Sequence, residues 1–540
     1  MIIDSKYKCF SNSKNENWNI KGTSLGGLFV LEPWITPSLF YQFLNQNDIE
    51  KIAMDTYSFC KVLGPIEGKR QLNMHFKSWV NESAILSLAN KKITHLRIPI
   101  GDWMFQPYGP YIGCMEDASI YLNNILDWCH KHSIKVLLDL HGVKDSQNGL
   151  DNSGKSNHIQ YKIQSLNNSN EKIVSFKHWS IISGDWIGNF NLINKNYSSI
   201  HFHNIQFTKK ILFQIIDTYK NHDALFGIEP LNEPWNYTPE NILKDFYYDI
   251  YKYMFIHAPH LKFIYHDSFR ANIWDSFLIN CKNVAMDWHI YQAWNTVQYG
   301  DQFLLEADNY DTYIDTFKKK GINLIIGEYS LATDNCAMWL NGFQDNLDGY
   351  PVYPCKFAPC PFPYINVTDL NRIKPIISPI GTGLSSPYMG TCPYEGNLII
   401  DENQNVFLRK LNLKKMKSFS HSQGWFFWNF KTEFQEEIAW SFEKSFDNQL
   451  FRSSDFDNGI YSSWNYYYLL GGFLLFFLFF LGGSNSISYF FKKKNKNIKK
   501  YQYIDIELMD QETNPINIMK KNASTGSISN HYKYSYEAIK

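Results

Sequence analysis

The chain has 540 residues, of which 44% are apolar and 19% are charged, so it contains ample material for a large core. Lysine plus arginine and aspartate plus glutamate each number 52, and this neutral balance gives no general attraction to nucleic acid. The aromatic content is 17%, which suits a large core and also suits sugar-binding clefts, where flat rings cover the apolar faces of pyranoses.

The chain opens with a polar segment, residues 1–19. Residues 1–18 lack the apolar stretch that forms the core of a signal peptide. Either the sequence is incomplete at its start, which we favour, or a later apolar segment is the only targeting signal.

Eight apolar runs predict buried strands, at residues 20–31, 93–100, 134–141, 225–231, 261–266, 284–291, 322–328 and 424–430. Amphipathic stretches such as 117–132 and 241–255 lie between them and predict helices. This alternation predicts an α/β fold with a parallel sheet covered by helices. Eight strands are the number of a closed (β/α)8 TIM barrel, which we expect over residues 20–457. A doubly wound sheet is the competing fold, but no Gly-rich phosphate loop follows any of these strands.

Two stretches exceed the needs of a barrel. Residues 155–200 are rich in Asn, Ser and Lys and predict a long loop insertion after the third or fourth strand. Residues 343–400 are rich in Pro, Gly, Cys and Tyr and precede the last strand. We expect both insertions at the end of the barrel where the functional site is built.

An uncharged apolar stretch near the C-terminus, residues 464–483, predicts a transmembrane helix. Its 18-residue core, YYYLLGGFLLFFLFFLGG, would span ~27 Å as a helix. Aromatic residues stand at its start and six lysines follow between 492 and 500, which predicts a cytoplasmic tail. The tail, 492–540, is basic and predicted to be disordered. The alternative for residues 464–483 is a buried core helix.

None of the nine cysteines forms a CxxC pair, which argues against a zinc ribbon or a thioredoxin motif. Cys336, Cys355, Cys360 and Cys392 are candidate disulfide partners if the chain is secreted, and free thiols if it is cytosolic. Glycosylation sequons at Asn81, Asn167, Asn196, Asn236 and Asn366 suit a secreted domain, although Asn is abundant enough for chance matches.

Polar and aromatic side chains stand where the predicted strands end: Arg97, His141, Asn232, Glu233, His289, Tyr291, Glu328 and Trp428. Each alone would be read as a capping or salt-bridge residue. In a barrel the strand ends meet on one face, so we expect these residues to converge on a shared site.

The two glutamates suit the cleavage of a glycosidic bond, which needs an acid on the leaving oxygen and a carboxylate near the anomeric carbon. We predict Glu233 as general acid/base and Glu328 as nucleophile of a retaining enzyme. Arg97 and Tyr291 are expected to hold Glu328 ionised, and the negative charge of Glu328 to raise the pKa of Glu233. Asn232 is a candidate partner for the sugar 2-hydroxyl.

Seven segments closely resemble fungal-type exo-β-1,3-glucanases of glycoside hydrolase family five, in the same order and spacing. They are GTSLGGLFVLEPWITPSLF (22–40), HLRIPIGDW (95–103), LDLHGVKDSQNGLDNSG (138–154), GIEPLNEPWN (227–236), HIYQAW (289–294), GEYSLATDNCAMWLNG (327–342) and GWFFWNFKTE (424–433). The resemblance covers about residues 22–440.

The resemblance implies the same two carboxylate roles, with Arg97, His141, Asn232, His289 and Tyr291 around them. It further implies that Glu32 and Asn152 bind the terminal non-reducing glucose, that Trp294 and Trp428 are aromatic platforms, and that Cys336 pairs with Cys392. Leu150 replaces a usual Phe, and Trp288 and Ile290 replace histidines that commonly flank His289.

The expected activity is therefore exo-cleavage of β-1,3-glucan or its oligosaccharides, by a domain on the outside of the cell or in the secretory lumen. The resemblance implies no metal or organic cofactor. His141 and His289 are candidate metal ligands by residue type, but HExxH spacing is absent around them. Two alternatives stay open: a β-glucosidase for glycolipids or a transglycosylase, and a catalytically inactive carbohydrate-binding surface protein.

Overall fold

The computed structural model describes residues 6–10, 17–43, 48–157, 159–165, 172–177, 183–295, 300–340, 356–358, 392, 402–433 and 437–456. The predicted transmembrane helix at 464–483 and the tail at 492–540 lie outside these residues, as does nearly all of the insertion predicted at 343–400. Among the helices that are described, none is both long enough and apolar enough to cross a membrane.

Eight parallel strands close into a barrel, in which every strand pairs with its neighbour in chain order. They are β1 (Ile20–Ser24), β2 (His95–Gly101), β3 (Lys135–Gly142), β8 (Leu225–Glu229), β9 (Lys262–His266), β10 (Val284–Ile290), β11 (Leu324–Tyr329) and β12 (Gly424–Phe427). The predicted TIM barrel is confirmed, and all eight strands lie within or next to the predicted apolar runs.

Helices cover the outside of the barrel. They are α1 (Thr56–Trp79), α2 (Glu82–Asn90), α3 (Ala118–Lys131), α4 (Phe202–Tyr219), α5 (Glu240–His257), α6 (Gly300–Lys319), α7 (Glu402–Phe419) and α8 (Phe442–Asp447). The two helices predicted at 117–132 and 241–255 are α3 and α5. Strand β9 is followed by a 3₁₀ turn, Ala271–Trp274, in place of an α-helix.

The first predicted strand, 20–31, was too long, because β1 ends at Ser24. Gly27 has φ +69, a left-handed conformation that ends the extended run. The apolar residues that follow, from Leu28 to Leu31, are fully buried in a loop against the core. Apolar content alone therefore overestimated the strand.

The insertion predicted at 155–200 follows the third barrel strand and is more regular than a loop. It contains two antiparallel hairpins, β4 (Gln160–Ser165) with β5 (Lys172–Lys177) and β6 (Gly188–Asn191) with β7 (Asn196–Ile200). Because β3 delivers its chain to the carboxyl ends of the barrel strands, the insertion is attached on the face where TIM barrels build their sites.

Three disulfide bonds join Cys9 to Cys281, Cys60 to Cys114, and Cys336 to Cys392. The last is the pair implied by the resemblance, whereas the first two join residues that no sequence pattern had paired. Cys355 and Cys360 lie outside the described residues. Disulfides persist in oxidising compartments, so these bonds indicate the secretory pathway or the cell exterior.

Candidate active site

Arg97, on β2, organises the centre of the barrel mouth. Its guanidinium donates from Nη1 to Glu328 Oε1 (2.7 Å), from Nη2 to Asn232 Oδ1 (2.7 Å) and from Nε to Glu229 Oε2 (2.9 Å). The Arg97 side chain is fully buried, so these contacts replace all of its hydration. One planar cation therefore fixes side chains from the fourth and seventh barrel strands at once.

Glu328, at the end of β11, is held from both sides. Its Oε1 accepts from Arg97, and its Oε2 accepts from the Tyr291 hydroxyl at 2.6 Å. Burial raises the pKa of Glu328 above its ordinary 4.5, and the charges of His289 and Arg97 oppose this rise. The predicted contacts of Glu328 with Arg97 and Tyr291 are present. Burial raises the pKa of Glu328 by more than the charge of Arg97 lowers it.

Glu233 lies just after β8 in a left-handed conformation, φ +42, which is rare for a residue with a side chain. Its Oε1 is 2.7 Å from His289 Nδ1, and its Oε2 accepts from Asn152 Nδ2 at 3.0 Å. Burial raises the pKa of Glu233, but the hydrogen bond from His289 and the charge of His289 lower it to about 2. The sequence had predicted a raised pKa.

The reason is the environment of His289. Its two ring nitrogens each face a carboxylate oxygen, Nδ1 that of Glu233 and Nε2 that of Asp287 at 3.3 Å. An imidazole donates from both nitrogens only when it is protonated. Burial lowers the pKa of His289, but the charges of Glu328 and Asp287 and these hydrogen bonds raise it well above its usual value. In the resting site the proton therefore lies on the His289 side of the hydrogen bond.

His289 also sets the distance between the two glutamates. Its Nδ1 is 2.7 Å from Glu233 Oε1 and 3.4 Å from Glu328 Oε2. These two oxygens are therefore at most about 6 Å apart, which is compatible with the ~5–5.5 Å separation of carboxyls in retaining glycosidases.

His141 and Asn232 complete this layer. His141 Nδ1 bonds Asp139 Oδ2, and its Nε2 lies 3.3 Å from Asn232 Nδ2. The His141 ring is parallel to the Trp428 ring, at 5.4 Å between centroids and 4° between planes. Every one of the predicted strand-end residues thus takes part in one connected site.

Sequence reasoning missed three buried carboxylates beneath this layer, Asp139, Glu229 and Asp287. Asp139 and Asp287 each stand two residues before a predicted site histidine, and alternate residues of a strand point to the same side. That spacing in LLDLH and AMDWH was the available signal. The three carboxyl groups surround the Arg97 guanidinium, with N–O distances of 2.9 to 4.0 Å.

A cavity of about 680 Å³ opens above the two glutamates. Its described lining is Glu32, Trp34, Leu150, Asp151, Asn152, Glu233, Phe269, His289, Tyr291, Trp294, Glu328, Leu340, Trp428 and Trp440. The mixture of carboxyl groups with indole rings along this lining suits a sugar.

Glu32 supplies a further buried carboxyl to this cavity. Its Oε2 accepts from Trp34 Nε1 at 3.0 Å, and its Oε1 has no hydrogen-bond partner among the described residues. Burial and the charge of Asp151 raise the pKa of Glu32 well above its usual value. A carboxyl that holds its proton can donate to a sugar hydroxyl as well as accept from one.

The chain is similar to known proteins in its sequence and in its fold. Residues 65–350 match the model of cellulase (glycosyl hydrolase family 5). The chain is 30% identical over 441 residues to a glucan 1,3-beta-glucosidase of Blumeria graminis, covering 79% of this chain and 85% of that protein. The chain belongs to glycosyl hydrolase family 5.

Other relatives extend this picture of a family 5 protein. The chain is 30% identical over 446 residues to glucan 1,3-beta-glucosidase 2 of Wickerhamomyces anomalus, covering 79% of this chain and 86% of that one. The crystal structure of rutinosidase from Aspergillus niger covers 81% of this chain and all of its own, with a TM-score of 0.52 at 15% identity, and so shares the fold.

Three further residues named in the sequence analysis, Asn152, Leu150 and Trp294, line the cavity of this family 5 site. Asn152, expected at the terminal glucose, donates to Glu233. Leu150, which stands in place of a Phe, is buried and packs against Trp235. Trp294 lines the cavity and meets Tyr291 edge-on at 5.4 Å.

Two triads of potential metal ligands lie inside the described site, Glu233 with His266 and His289, and Glu229 with Asp287 and His289. His266 Nδ1 accepts from the Ser268 N–H at 2.9 Å, which leaves the proton on Nε2 and removes the lone pair that a metal would need. Both nitrogens of His289 are committed to carboxylates. These donors fit an ion-pair network better than a metal centre.

Proposed function

We propose that this family 5 chain is a retaining, exo-acting glucan 1,3-β-glucosidase that releases glucose from the non-reducing end of β-1,3-glucan. The observation that carries the proposal is the pair of buried carboxyls, Glu233 and Glu328, which both approach one nitrogen of His289. The names of the curated relatives support the choice of glucan as substrate.

In the first step an oxygen of Glu328 forms a bond to the anomeric carbon, and the bond between that carbon and the leaving oxygen breaks. Glu233 gives the leaving oxygen a proton, which it draws from its hydrogen bond with His289. The remaining glucan leaves as an alcohol, and the glucosyl unit stays on Glu328 as an ester.

In the second step water takes the place of the leaving glucan. Glu233 accepts a proton from this water and passes it back to His289, while the water oxygen bonds to the anomeric carbon and the ester bond to Glu328 breaks. Two displacements on opposite faces restore the β configuration. Glu328 regains its charge, to which Arg97 and Tyr291 again donate.

The remaining predicted residues are proposed to bind the sugar rings of the substrate, with Asn232 and Glu32 at the terminal glucose. Asn232 uses one amide hydrogen on His141, and its second is available to the 2-hydroxyl. Glu32 offers its unpaired Oε1 to hydroxyls farther along the ring. Trp428, held parallel to His141, and Trp294 are proposed as platforms for the apolar sugar faces.

The test is product analysis by NMR on a β-1,3-linked trisaccharide. We expect β-glucose as the first product, released from the non-reducing end, with α-glucose appearing only later by mutarotation. First release of α-glucose would contradict a retaining mechanism. Cleavage of glucosylated sterols or ceramides without cleavage of the trisaccharide would make the protein a glycolipid hydrolase, and binding without any turnover would make it a lectin.

We also propose that residues 464–483 cross the membrane once, with the barrel domain (20–457) in the secretory lumen or outside the cell and the tail (492–540) in the cytoplasm. The uncharged apolar stretch and the lysines that follow it support this arrangement. The disulfides of the barrel require the same oxidising side.

The anchor is tested by truncation. A chain that ends at residue 463 is expected to appear in the soluble fraction with full activity, whereas the chain that ends at residue 491 should stay with the membranes, because it retains the apolar stretch. Membrane retention of the shorter chain would show that the barrel is held by another contact.

A further inference from the structure

The inserted chain between β3 and α4 is joined closely to the loop that carries Leu150 and Asn152. Trp186 N donates to Ser146 O at 2.9 Å, and Trp186 is fully buried. A Cβ on Gly184 would lie 2.2 Å from Gln147 O, so the two backbones touch where only glycine fits. The insertion thus packs against a loop whose residues Leu150 and Asn152 line the cavity.

The hairpin that follows, Gly188–Ile200, places its aromatic side chains on Trp235. Phe190 meets the Trp235 ring at 4.5 Å and the Tyr237 ring at 5.3 Å. Tyr197, which pairs with Phe190 across the hairpin, lies 6.3 Å from Trp235 and donates its hydroxyl to Gly184 O. The hairpin therefore clamps Trp235, which is only 5% exposed.

Trp235 lies behind the acid/base side of the cavity. It stands two residues after Glu233, and its backbone N–H donates to Gln147 O at 3.2 Å. Trp235 forms a buried apolar cluster with Leu150, and Trp294 packs against this cluster. Leu150 and Trp294 both line the cavity. In the proposed mechanism Glu233 faces the leaving oxygen. Leu150 lines the same cavity and packs on Trp235, two residues after Glu233, so we place Leu150 beside the leaving group.

We propose that the hairpin Gly188–Ile200 is a specificity element for the leaving group, with Phe190 as its positioning residue. This inference rests on the proposed function. The hairpin fixes the position of Trp235, and Trp235 in turn fixes the position of Leu150. Leu150 and Trp294 together form an apolar border of the cavity. This border fits a cyclic leaving group, which in the glucan is the next pyranose ring. The terminal glucose lies on the Glu32 side of the cavity, so its binding is not expected to depend on the hairpin.

The test compares a leaving group that reaches this border with one that is too small to do so. For Phe190→Ala we expect kcat/KM on a β-1,3-linked disaccharide to fall about tenfold, because an apolar border that shifts loses contact with the ring. On β-glucosyl fluoride the same variant should stay within about twofold of the wild type. Phe190→Leu, which keeps most of the apolar volume, should give a smaller loss on the disaccharide.

The matched control is Ile193→Ala on the same hairpin, since Ile193 is 91% exposed at its tip. It should leave both substrates unchanged. Equal losses of Phe190→Ala on the disaccharide and the fluoride, or no loss on either, would overturn the inference.

If the wild type cleaves the fluoride but not the disaccharide, the proposed glucan activity fails. The role of the hairpin is then tested by comparing the effect of Phe190→Ala on 4-nitrophenyl β-glucoside, whose ring reaches the border, with its effect on the fluoride.

Discussion

Replacement of Glu328 by alanine is expected to lower kcat on any β-glucoside by at least about 10,000-fold, because the group that forms the covalent intermediate is gone. The fold should survive. The carboxyl groups of Asp139 and Glu229 still contact the Arg97 guanidinium after the change, so the buried cation keeps hydrogen-bond partners. Circular dichroism and thermal unfolding should match the wild type.

Small anions offer the decisive control for this variant. Removing the carboxylate frees two buried donors, Arg97 Nη1 and the Tyr291 hydroxyl, around a small space. Azide is expected to occupy that space and attack an activated aryl β-glucoside from the face that Glu328 used, which gives α-glucosyl azide. The rate should rise with azide concentration, and NMR reports the anomer.

A control substitution shows whether the loss of kcat is specific to Glu328 or follows from removing any glutamate. Glu240→Ala removes an exposed glutamate whose partner is Lys244 on the same helix, and its activity should equal that of the wild type. Formation of β-glucosyl azide, or wild-type activity in Glu328→Ala, would place the nucleophile elsewhere.

The barrel could be predicted because its strands are buried on both faces, and each therefore reads as a continuous apolar run. The prediction failed where a segment is buried without being a strand, or forms strands without being rich in apolar residues. The run after Ser24 is buried without being extended, since Gly27 turns the chain. The hairpin Gly188–Ile200 lies in an Asn-rich stretch of low apolar content, and its aromatic residues acquire their role only by packing on Trp235.

The residues of the site were predictable from strand ends, but their charge states were not. A pKa depends on the sum of neighbours, and Asp139, Glu229 and Asp287 were not anticipated. Asp287 in particular supplies the second acceptor of His289, which keeps the imidazole protonated and lowers the pKa of Glu233. Disulfide partners were hidden for a related reason: Cys9 and Cys281 are 272 residues apart and meet only in the fold.

Replacement of Glu233 by alanine is expected to separate substrates by their need for a proton. On the β-1,3-linked disaccharide, kcat/KM should fall by about 1,000-fold or more, since the leaving alcohol is a poor leaving group without protonation. On 2,4-dinitrophenyl β-glucoside, whose leaving group departs as an anion, kcat/KM should fall less than about tenfold. Similar losses on both substrates would contradict an acid role for Glu233.

The pH dependence of kcat/KM tests the shared proton directly. In the wild type, activity on the disaccharide should fall at low pH as Glu328 becomes protonated, at a pKa raised above 4.5 by burial. It should fall again at high pH as the His289–Glu233 pair loses its proton, at a pKa raised well above the usual value for histidine by Glu328 and Asp287. In Glu233→Ala with the dinitrophenyl substrate the acid limb should remain, because the nucleophile is unchanged, and the alkaline limb should disappear, because no proton is transferred. An alkaline limb that persists at the same pH would mean that His289 serves the nucleophile and not the acid.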